Sequence, residues 1–301
     1  MLKQCVESIL ALSLRPYERE IILVDDGSET PQLEGLSDCL EDILYIRQKN
    51  EGLSAARNTG LRAATGTFIQ FVDGDDMLIS NMYEHCLDIA RFQSADMVMF
   101  DFSSSPKPTL TYNVDEPLQG AELMRQQNIR GSACGYLFRR AILGDLRFTK
   151  GIFHEDEEFT PQLLLRAEAV FRTDAKAYFY RERTGSITTD KSKQKTEKRL
   201  ADLKDIILRL HMQADRMPTA DRKALERRVA QLTMDYIYKI IVETRDRKFL
   251  LNQLEELRSK GLFPLPDRNY TKKYTWFRRM TNSTAGIRLL MLTLPYMKRE
   301  R

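Results

Sequence analysis

The run Asp73-Gly74-Asp75-Asp76 places two carboxylates two positions apart in a turn. Carboxylates so spaced can point to one side and share a hard divalent cation. Magnesium and manganese take such oxygen ligands and leave the rest of their shell to water and phosphate. A solvated acidic turn is the plain alternative. A calcium loop of EF-hand type is excluded: Asp73, Asp75 and Glu84 match its first, third and last ligand positions, but Leu78 stands where its glycine is needed. A second acidic turn, Asp25-Asp26-Gly27-Ser28, follows the apolar run Ile21-Ile22-Leu23-Val24. Alone it would suit a phosphoacceptor receiver domain or an ordinary Asp-Gly turn. Neither explains a second acidic turn after a later strand, whereas two acidic strand ends on one sheet edge suit a nucleotide plus a metal. The third segment is Asn50-Glu51-Gly52-Leu53-Ser54-Ala55-Ala56-Arg57-Asn58-Thr59-Gly60. Its small residues let a helix begin close to a ligand, the helix N-terminus favours anions, and Arg57 could reach a base or a phosphate. Otherwise it is a helix with small residues on one face. The fourth, His154-Glu155-Asp156-Glu157-Glu158, is either a helix start whose dipole favours acids or the source of a general base.

The elements that must position these groups alternate. Helical spacing covers residues 2–14, and Glu20-Ile21-Ile22-Leu23-Val24 reads as a buried strand. A helix is expected over 33–40, a weak strand over 43–47, a helix over 51–64 and a buried strand over 67–72. A helix to about 92 and a strand over 97–102 follow. Such alternation predicts a parallel α/β sheet with helices on its faces, and ligands of such sheets bind beyond the carboxyl ends of strands. Both acidic turns lie at such ends. Residues 103–118 are a polar, proline-containing break, 119–190 mix short helices and strands, 191–199 form a charge-rich link, and 196–260 are helical. The expected organisation is an α/β domain in two halves, over 1–102 and 103–190, a helical region over 191–269 and a basic amphipathic tail over 270–301.

Composition removes several function classes. The 301 residues are 42% hydrophobic and 30% charged, with a net charge of +4, which suits a folded chain with a real core. Cys5, Cys39, Cys86 and Cys134 form no CxxC pair, so a zinc motif and a disulfide scaffold are not expected. His85, His154 and His211 lie far apart, which argues against a histidine-held metal. No run approaches the ~18 apolar residues of a spanning helix. The start, Met1-Leu2-Lys3, leads straight into a helical pattern, so the expected compartment is the cytoplasm. Residues 270–301 hold eight Lys and Arg against one acid, Glu300, so the basic character belongs to the tail and nucleic acid is not an expected partner. Basic residues interleaved with Tyr270, Tyr274, Trp276 and Phe277 suit an anionic membrane surface, with peripheral placement at the inner face of the cell membrane. The competing reading is a helix packed on the protein with its basic residues merely solvated.

In order and spacing, Val-Asp-Asp-Gly-Ser, Asn-Glu-Gly-Leu-Ser-Ala-Ala-Arg-Asn-Thr-Gly and Phe-Val-Asp-Gly-Asp-Asp closely resemble the family 2 glycosyltransferases of the GT-A fold. Phe153-His154-Glu155-Asp156 and Tyr178-Phe179-Tyr180-Arg181 through Ser186-Ile187-Thr188 extend the resemblance to roughly residues 1–190. It implies a Rossmann-like domain with a mixed sheet, its half over 1–102 binding the nucleotide-sugar and its half over 103–190 binding the acceptor and holding the catalytic residues, a helical C-terminal region, and an inverting, metal-dependent enzyme of hexosyltransferase type. The donor it implies is a nucleotide-sugar, UDP-linked. The acceptor it implies is a saccharide or a lipid-linked saccharide in surface polysaccharide assembly. Asp25 and Asp26 would lie near uracil and ribose, which of them at the base being open, and Arg57 also at the nucleotide. Asp73 and Asp75 match the DxD motif, with Asp75 the direct ligand of Mn2+ or Mg2+ and Asp73 nearer the ribose or the metal-bound water. Asp156 matches the catalytic base and Glu155 its neighbour. Arg181, Arg183, Ser186 and Thr188 match positions that contact the diphosphate or close a loop over it. The chemistry agrees: an acceptor hydroxyl needs a base, a departing diphosphate needs a cation, and one base without a matching nucleophile favours direct displacement.

The resemblance has one departure. The family opens with a strand of the type Val-Ser-Ile-Ile-Ile-Pro-x-Tyr-Asn, and this chain begins inside the helix that follows it. A gap or a compensating segment in the sheet is therefore expected. A nucleotide-sugar-binding relic without turnover is the alternative function. A nucleotidyltransferase ranks last, because no glycine-rich phosphate loop with a lysine opens the chain.

Overall fold

The structure, a computed structural model, describes residues 1–30, 35–107, 111–182 and 192–297. It divides into two compact units, Met1–Leu123 with Arg130–Thr189, and Met124–Ile129 with Asp190–Arg301. In the first unit the order is α1 (Leu2–Leu10), β1 (Ile21–Asp25), β2 (Ile43–Arg47), α2 (Leu53–Ala63), β3 (Phe68–Gln70), β4 (Met77–Leu78), α3 (Ser80–Phe92) and β5 (Met97–Ser103). Then come α4 (Gly120–Gln126, which runs into the second unit), β6 (Tyr136–Arg139), α5 (Glu155–Leu164) and β7 (Val170–Phe179).

Strands β1 and β2 pair in parallel as a sheet of their own. The other five form a mixed sheet in the order β3-β6-β5-β7-β4, with β5 and β7 parallel and the remaining pairs antiparallel. The alternation predicted a parallel sheet; β4 and β6, short strands that it did not show, enter antiparallel. Strand β5 lies at its centre, and Met97, Val98 and Phe100 are buried, as the apolar run implied. Its register with β7 slips between Met99 and Phe102, a local bulge. Tyr83, Cys86, Phe100, Leu137 and Tyr178 belong to one core that ties α3 to this sheet.

The expected interruption is present: among the described residues β1 pairs only with β2, and β3 only with β6. The starts of β1 and β3 are nevertheless fastened together. The Glu20 carboxylate accepts from the Thr65 amide at 2.9 Å and the Thr65 hydroxyl at 2.8 Å. Helix α1 supplies apolar cover, with Val6, Leu2 and Leu10 against Leu36, Leu23 and Ile43. It also grips the Asp73–Asp76 turn region, because the Leu78 amide donates to the Ser8 hydroxyl at 3.1 Å.

Three expectations needed adjustment. Where a helix was expected over 33–40, a 3-10 turn spans Ser37–Asp42, and residues 31–34 lie outside the described residues. The strand expected over 67–72 keeps only Phe68–Gln70. The charge-rich 193–199 segment is the first two turns of a long helix rather than a link. Pairs at i,i+4 spacing, Lys193 with Glu197 and Lys198 with Asp202, support those turns.

The second unit is helical: α6 (Lys193–Ala214), α7 (Thr219–Lys239, extended by a π turn Ile240–Thr244), α8 (Arg247–Ser259), α9 (Lys272–Thr281) and α10 (Thr284–Met297). Leu203, Ile206, Ile207 and Leu210 of α6 are buried, as are Leu225, Leu232, Tyr236 and Ile237 of α7. All four cysteines are free and buried.

An interrupted sheet predicts uneven protection. In native-state hydrogen exchange, β5 amides should open only with global unfolding, while outward amides of β1 and β3 exchange through cheaper local openings. Equal protection of β1, β3 and β5 would mean that the gap is closed in solution.

Candidate active site

The turn after β1 is held by its own acids. Asp25 is buried, accepts from the Ser28 amide at 2.8 Å and from the Tyr45 hydroxyl at 2.6 Å. Burial pulls its carboxyl up, but these two donors outweigh burial and hold it below the usual range. Asp26 accepts from the Gln48 amide group at 2.7 Å and from the backbone amides of Glu51 at 3.0 Å and Gly52 at 2.7 Å. It thereby fixes the loop that launches α2. Gly27 has φ +77°, and a Cβ there would sit 2.8 Å from the Asn50 nitrogen, so only glycine fits the crossing.

Helix α2 delivers its polar residues inward. Asn58 and Phe148 exchange two hydrogen bonds of 2.9 Å each, which seats α2 against the 148 region. Arg57, one turn into the helix, is buried, and its guanidinium meets three carboxylates. Nη1 donates to Asp156 Oδ1 at 2.6 Å and Glu155 Oε1 at 3.0 Å, and Nη2 to Asp73 Oδ1 at 3.2 Å. The rings of Phe148 and Phe71 lie 5.4 and 5.8 Å from its centre. Burial pulls the Arg57 proton affinity down, but Asp156 and its acidic neighbours outweigh it and hold the charge on.

Asp156 opens α5 after His154, whose φ of +64° turns the chain into the helix. Its Oδ2 accepts from the Ala133 amide at 3.0 Å, so both oxygens have fixed partners. Burial pushes the Asp156 carboxyl up against the pull of Arg57. Burial and the Asp156 charge push Glu155 up as well. Among the described residues, three carboxylates share this one guanidinium.

The turn between β3 and β4 divides its acids by role. Asp76 is buried and accepts from the Tyr178 hydroxyl and the Arg181 amide, each at 2.8 Å. Tyr178 Oη in turn accepts from the Asp73 amide at 3.1 Å. Asp73 and Asp75 stay half-buried, with carboxylates at the turn. Arg181 donates from Nε to the Asp75 carbonyl at 2.9 Å and from Nη2 to Gln4 at 2.9 Å, so it braces the turn from behind. Arg183, Ser186 and Thr188 lie outside the described residues. Asp73, Arg57, Glu155 and Asp156 are thus brought into one cluster, with Asp75 on the same turn as Asp73. Asp25 and Asp26 sit at the neighbouring strand end and spend their described hydrogen bonds on the protein. Tyr178 and Asp76 were not singled out from sequence, although a tyrosine on a strand facing an extra aspartate is a readable signal. Asp73 and Asp75 are hard oxygen donors beside an acid-rich cluster, which fits a divalent cation sharing its shell with phosphate. Among the described residues no group of three or more His, Cys, Asp or Glu is arranged to hold a metal.

Known proteins resemble this chain in sequence and in fold. The model described as "Glycosyl transferase family 2" matches residues 1–146. The uncharacterized glycosyltransferase EpsJ of Bacillus subtilis (strain 168) is 34% identical over 209 residues, which is 62% of this chain and 59% of EpsJ. The S. aureus TarS 1–349 structure in complex with UDP-GlcNAc superposes with a TM-score of 0.65 at 17% identity, covering 99% of this chain and 88% of that one. The Pyrobaculum calidifontis mannosyltransferase PcManGT, in complex with GDP-Man and Mn2+, gives 0.57 at 13% identity, covering 99% and 84%. The two structures establish the GT-A-like fold, and over residues 1–146 the chain is similar to glycosyltransferase family 2.

The cluster predicts a pH-dependent stability. A carboxyl whose folded-state pKa lies above its unfolded value is protonated longer in the fold, so ionising Glu155 and Asp156 costs stability as pH rises above the ordinary carboxylate range. Arg57→Met leaves those charges uncompensated and should destabilise by about 3–5 kcal/mol at pH 8. The loss should shrink at pH 5, where the acids take up protons. Urea unfolding at both pH values checks this, and a loss independent of pH would show that Arg57 acts by packing alone.

Proposed function

We propose that this chain is an inverting glycosyltransferase that moves a sugar from a nucleotide-sugar, UDP-linked, to a saccharide or lipid-linked acceptor in surface polysaccharide assembly. The observation that carries the reading is the Arg57 bridge, which holds the Asp156 carboxylate and the Asp73 carboxylate on one guanidinium. In this reading Asp156 is the base for the acceptor and Asp73 a carboxylate on the donor side, and one cation joins them. EpsJ is itself named a glycosyltransferase, and TarS is described with UDP-GlcNAc, which supports the donor class. The chain spans 59% of EpsJ, so the activity of the relative is not carried over whole.

In this reading Asp156 accepts the acceptor hydroxyl's proton as the oxygen attacks the anomeric carbon, and the diphosphate leaves on the opposite face. The Ala133 amide and Arg57 aim the carboxylate. Its raised proton affinity, set by burial against the pull of Arg57, makes it a better base than an exposed aspartate. Glu155 shares the guanidinium and keeps the charge of the pair distributed. Asp75 and Asp73 would hold Mn2+ or Mg2+, whose chemistry is to neutralise the leaving diphosphate. Asp25, Asp26 and the α2 start would receive the nucleoside, and Arg181 the diphosphate side of the turn.

The interrupted sheet favours a second reading, in which the chain binds the nucleotide-sugar without turnover. Two measurements separate them. Thermal unfolding with UDP and manganese should show stabilisation of about 2.7 kcal/mol at a hundredfold excess over Kd. Asp156→Asn should keep that stabilisation and lower turnover by about 100-fold or more. Binding without turnover in the unmodified chain selects the second reading, and full turnover in Asp156→Asn removes Asp156 as the base.

A further inference from the structure

The α9–α10 pair answers half of the question raised by the basic tail. Its packing faces are ordinary: Tyr274, Phe277, Ile287, Leu290 and Leu294 are buried within the second unit. Packing therefore accounts for one side of each helix. It does not account for the other side. On α9 the exposed positions are Lys272, Lys273, Trp276 and Arg279, at i, i+1, i+4 and i+7. On α10 they include Arg288, Leu289, Leu292 and Tyr296, again at helical spacing. Trp276 is 49% exposed, Leu289 51%, Leu292 69% and Tyr296 62%. Large apolar side chains so open to water on one short hairpin are costly unless something covers them.

We propose that the exposed side of the α9–α10 hairpin docks on an anionic lipid bilayer. The charge points to that occupant. Residues 270–297 contain Lys272, Lys273, Arg278, Arg279 and Arg288 and no acid. Arg278 is engaged by Asp267 at 2.5 Å, which leaves the exposed lysines and arginines as the outward charge. Two copies of such a face would repel each other, whereas a surface of anionic headgroups complements it. Tryptophan and tyrosine suit the headgroup level, with leucines beneath it and basic side chains reaching outward. Among the described residues no helix is long and apolar enough to cross a membrane, so the contact lies on the surface. The proposal is independent of the donor and base assignments, and its failure leaves them standing.

Trp276 is the sole tryptophan of the chain, so its fluorescence reports this surface alone. The full chain is titrated with vesicles of phosphatidylcholine, with and without phosphatidylglycerol. The expected result is a blue shift of Trp276 emission and shielding from an aqueous quencher with phosphatidylglycerol only, reversed by molar salt. Lys272→Glu with Lys273→Glu should weaken vesicle binding by about tenfold or more. Leu289→Asp with Leu292→Asp should abolish the shift, with circular dichroism confirming the helices. No shift, an equal shift with phosphatidylcholine alone, or a shift that grows with protein concentration without vesicles each overturns the proposal, the last in favour of self-association.

Discussion

The buried guanidinium of Arg57 is the constraint on which the site depends. It joins α2 to the turn after β3 and to the start of α5, segments 16, 98 and 99 residues away along the chain. A buried ion pair earns little net stability, because desolvating each charge costs several kcal/mol. Its value is in specificity of position. A hydrophobic side chain at 57 could fill the space, but it could not hold three carboxylates at a common point. The stacked pair Phe148 and Phe159, with ring centres 3.8 Å apart, and the Asn58–Phe148 exchange fix the walls around the cation. The electrostatic centre is set in a rigid apolar frame and cannot relax by drifting.

A second, smaller network does for the Asp73–Asp76 turn what Arg57 does for the whole site. The Asp73 amide, the Tyr178 hydroxyl and the Asp76 carboxylate form a chain of hydrogen bonds across β7. Asp76 carries the structural load, and Asp73 and Asp75 are left half-buried at the turn. Helix α1 closes the arrangement from the other side, through Ser8 on Leu78 and Gln4 on Arg181. This explains how the turn stays ordered beside an interrupted sheet. Its supports are side chains of α1 and β7 rather than a ladder joining β1 to β3.

Local chemistry was legible in the sequence, and long-range chemistry was not. The acidic turns, the small-residue helix and the acidic helix start are each written within a dozen consecutive residues, and each falls at a strand end or helix start in the structure. The alternation of apolar runs with turns pointed to the α/β class, although not to its mixed sheet, and the gap between β1 and β3 was expected only by contrast with the family that the motifs resemble. What Arg57 touches could not be read, because its partners depend on how sheet and helices pack. The sequence reading sent it to a base or a phosphate, and the structure surrounds it with carboxylates. Asp26 is similar: its partners Glu51 and Gly52 lie 25 and 26 residues on, and only the fold brings their amides to it. The 193–199 segment was misread for a different reason. Its charge density resembles a linker, and the i,i+4 pairing that makes it helical is visible only in register with the apolar stripe beginning at Leu200.

The charge of the cluster bears on how a diphosphate could enter. Asp73, Glu155 and Asp156 outnumber the one guanidinium they share, and Asp75 lies on the same turn. Arg57 is enclosed, and its described hydrogen bonds go to the three carboxylates. Arg181 lies against the turn through the Asp75 carbonyl and Gln4. Under the proposed function, a diphosphate approaching the described cluster would meet an excess of carboxylates, which a cation arriving with it would offset. The same cation would relieve the carboxylates that burial has pushed toward protonation. Donor and cation then favour each other by equal free energies, since coupling between two bound species is reciprocal. Under the proposed function, the same acid excess that costs the cluster stability would favour a metal-paired diphosphate over a bare one.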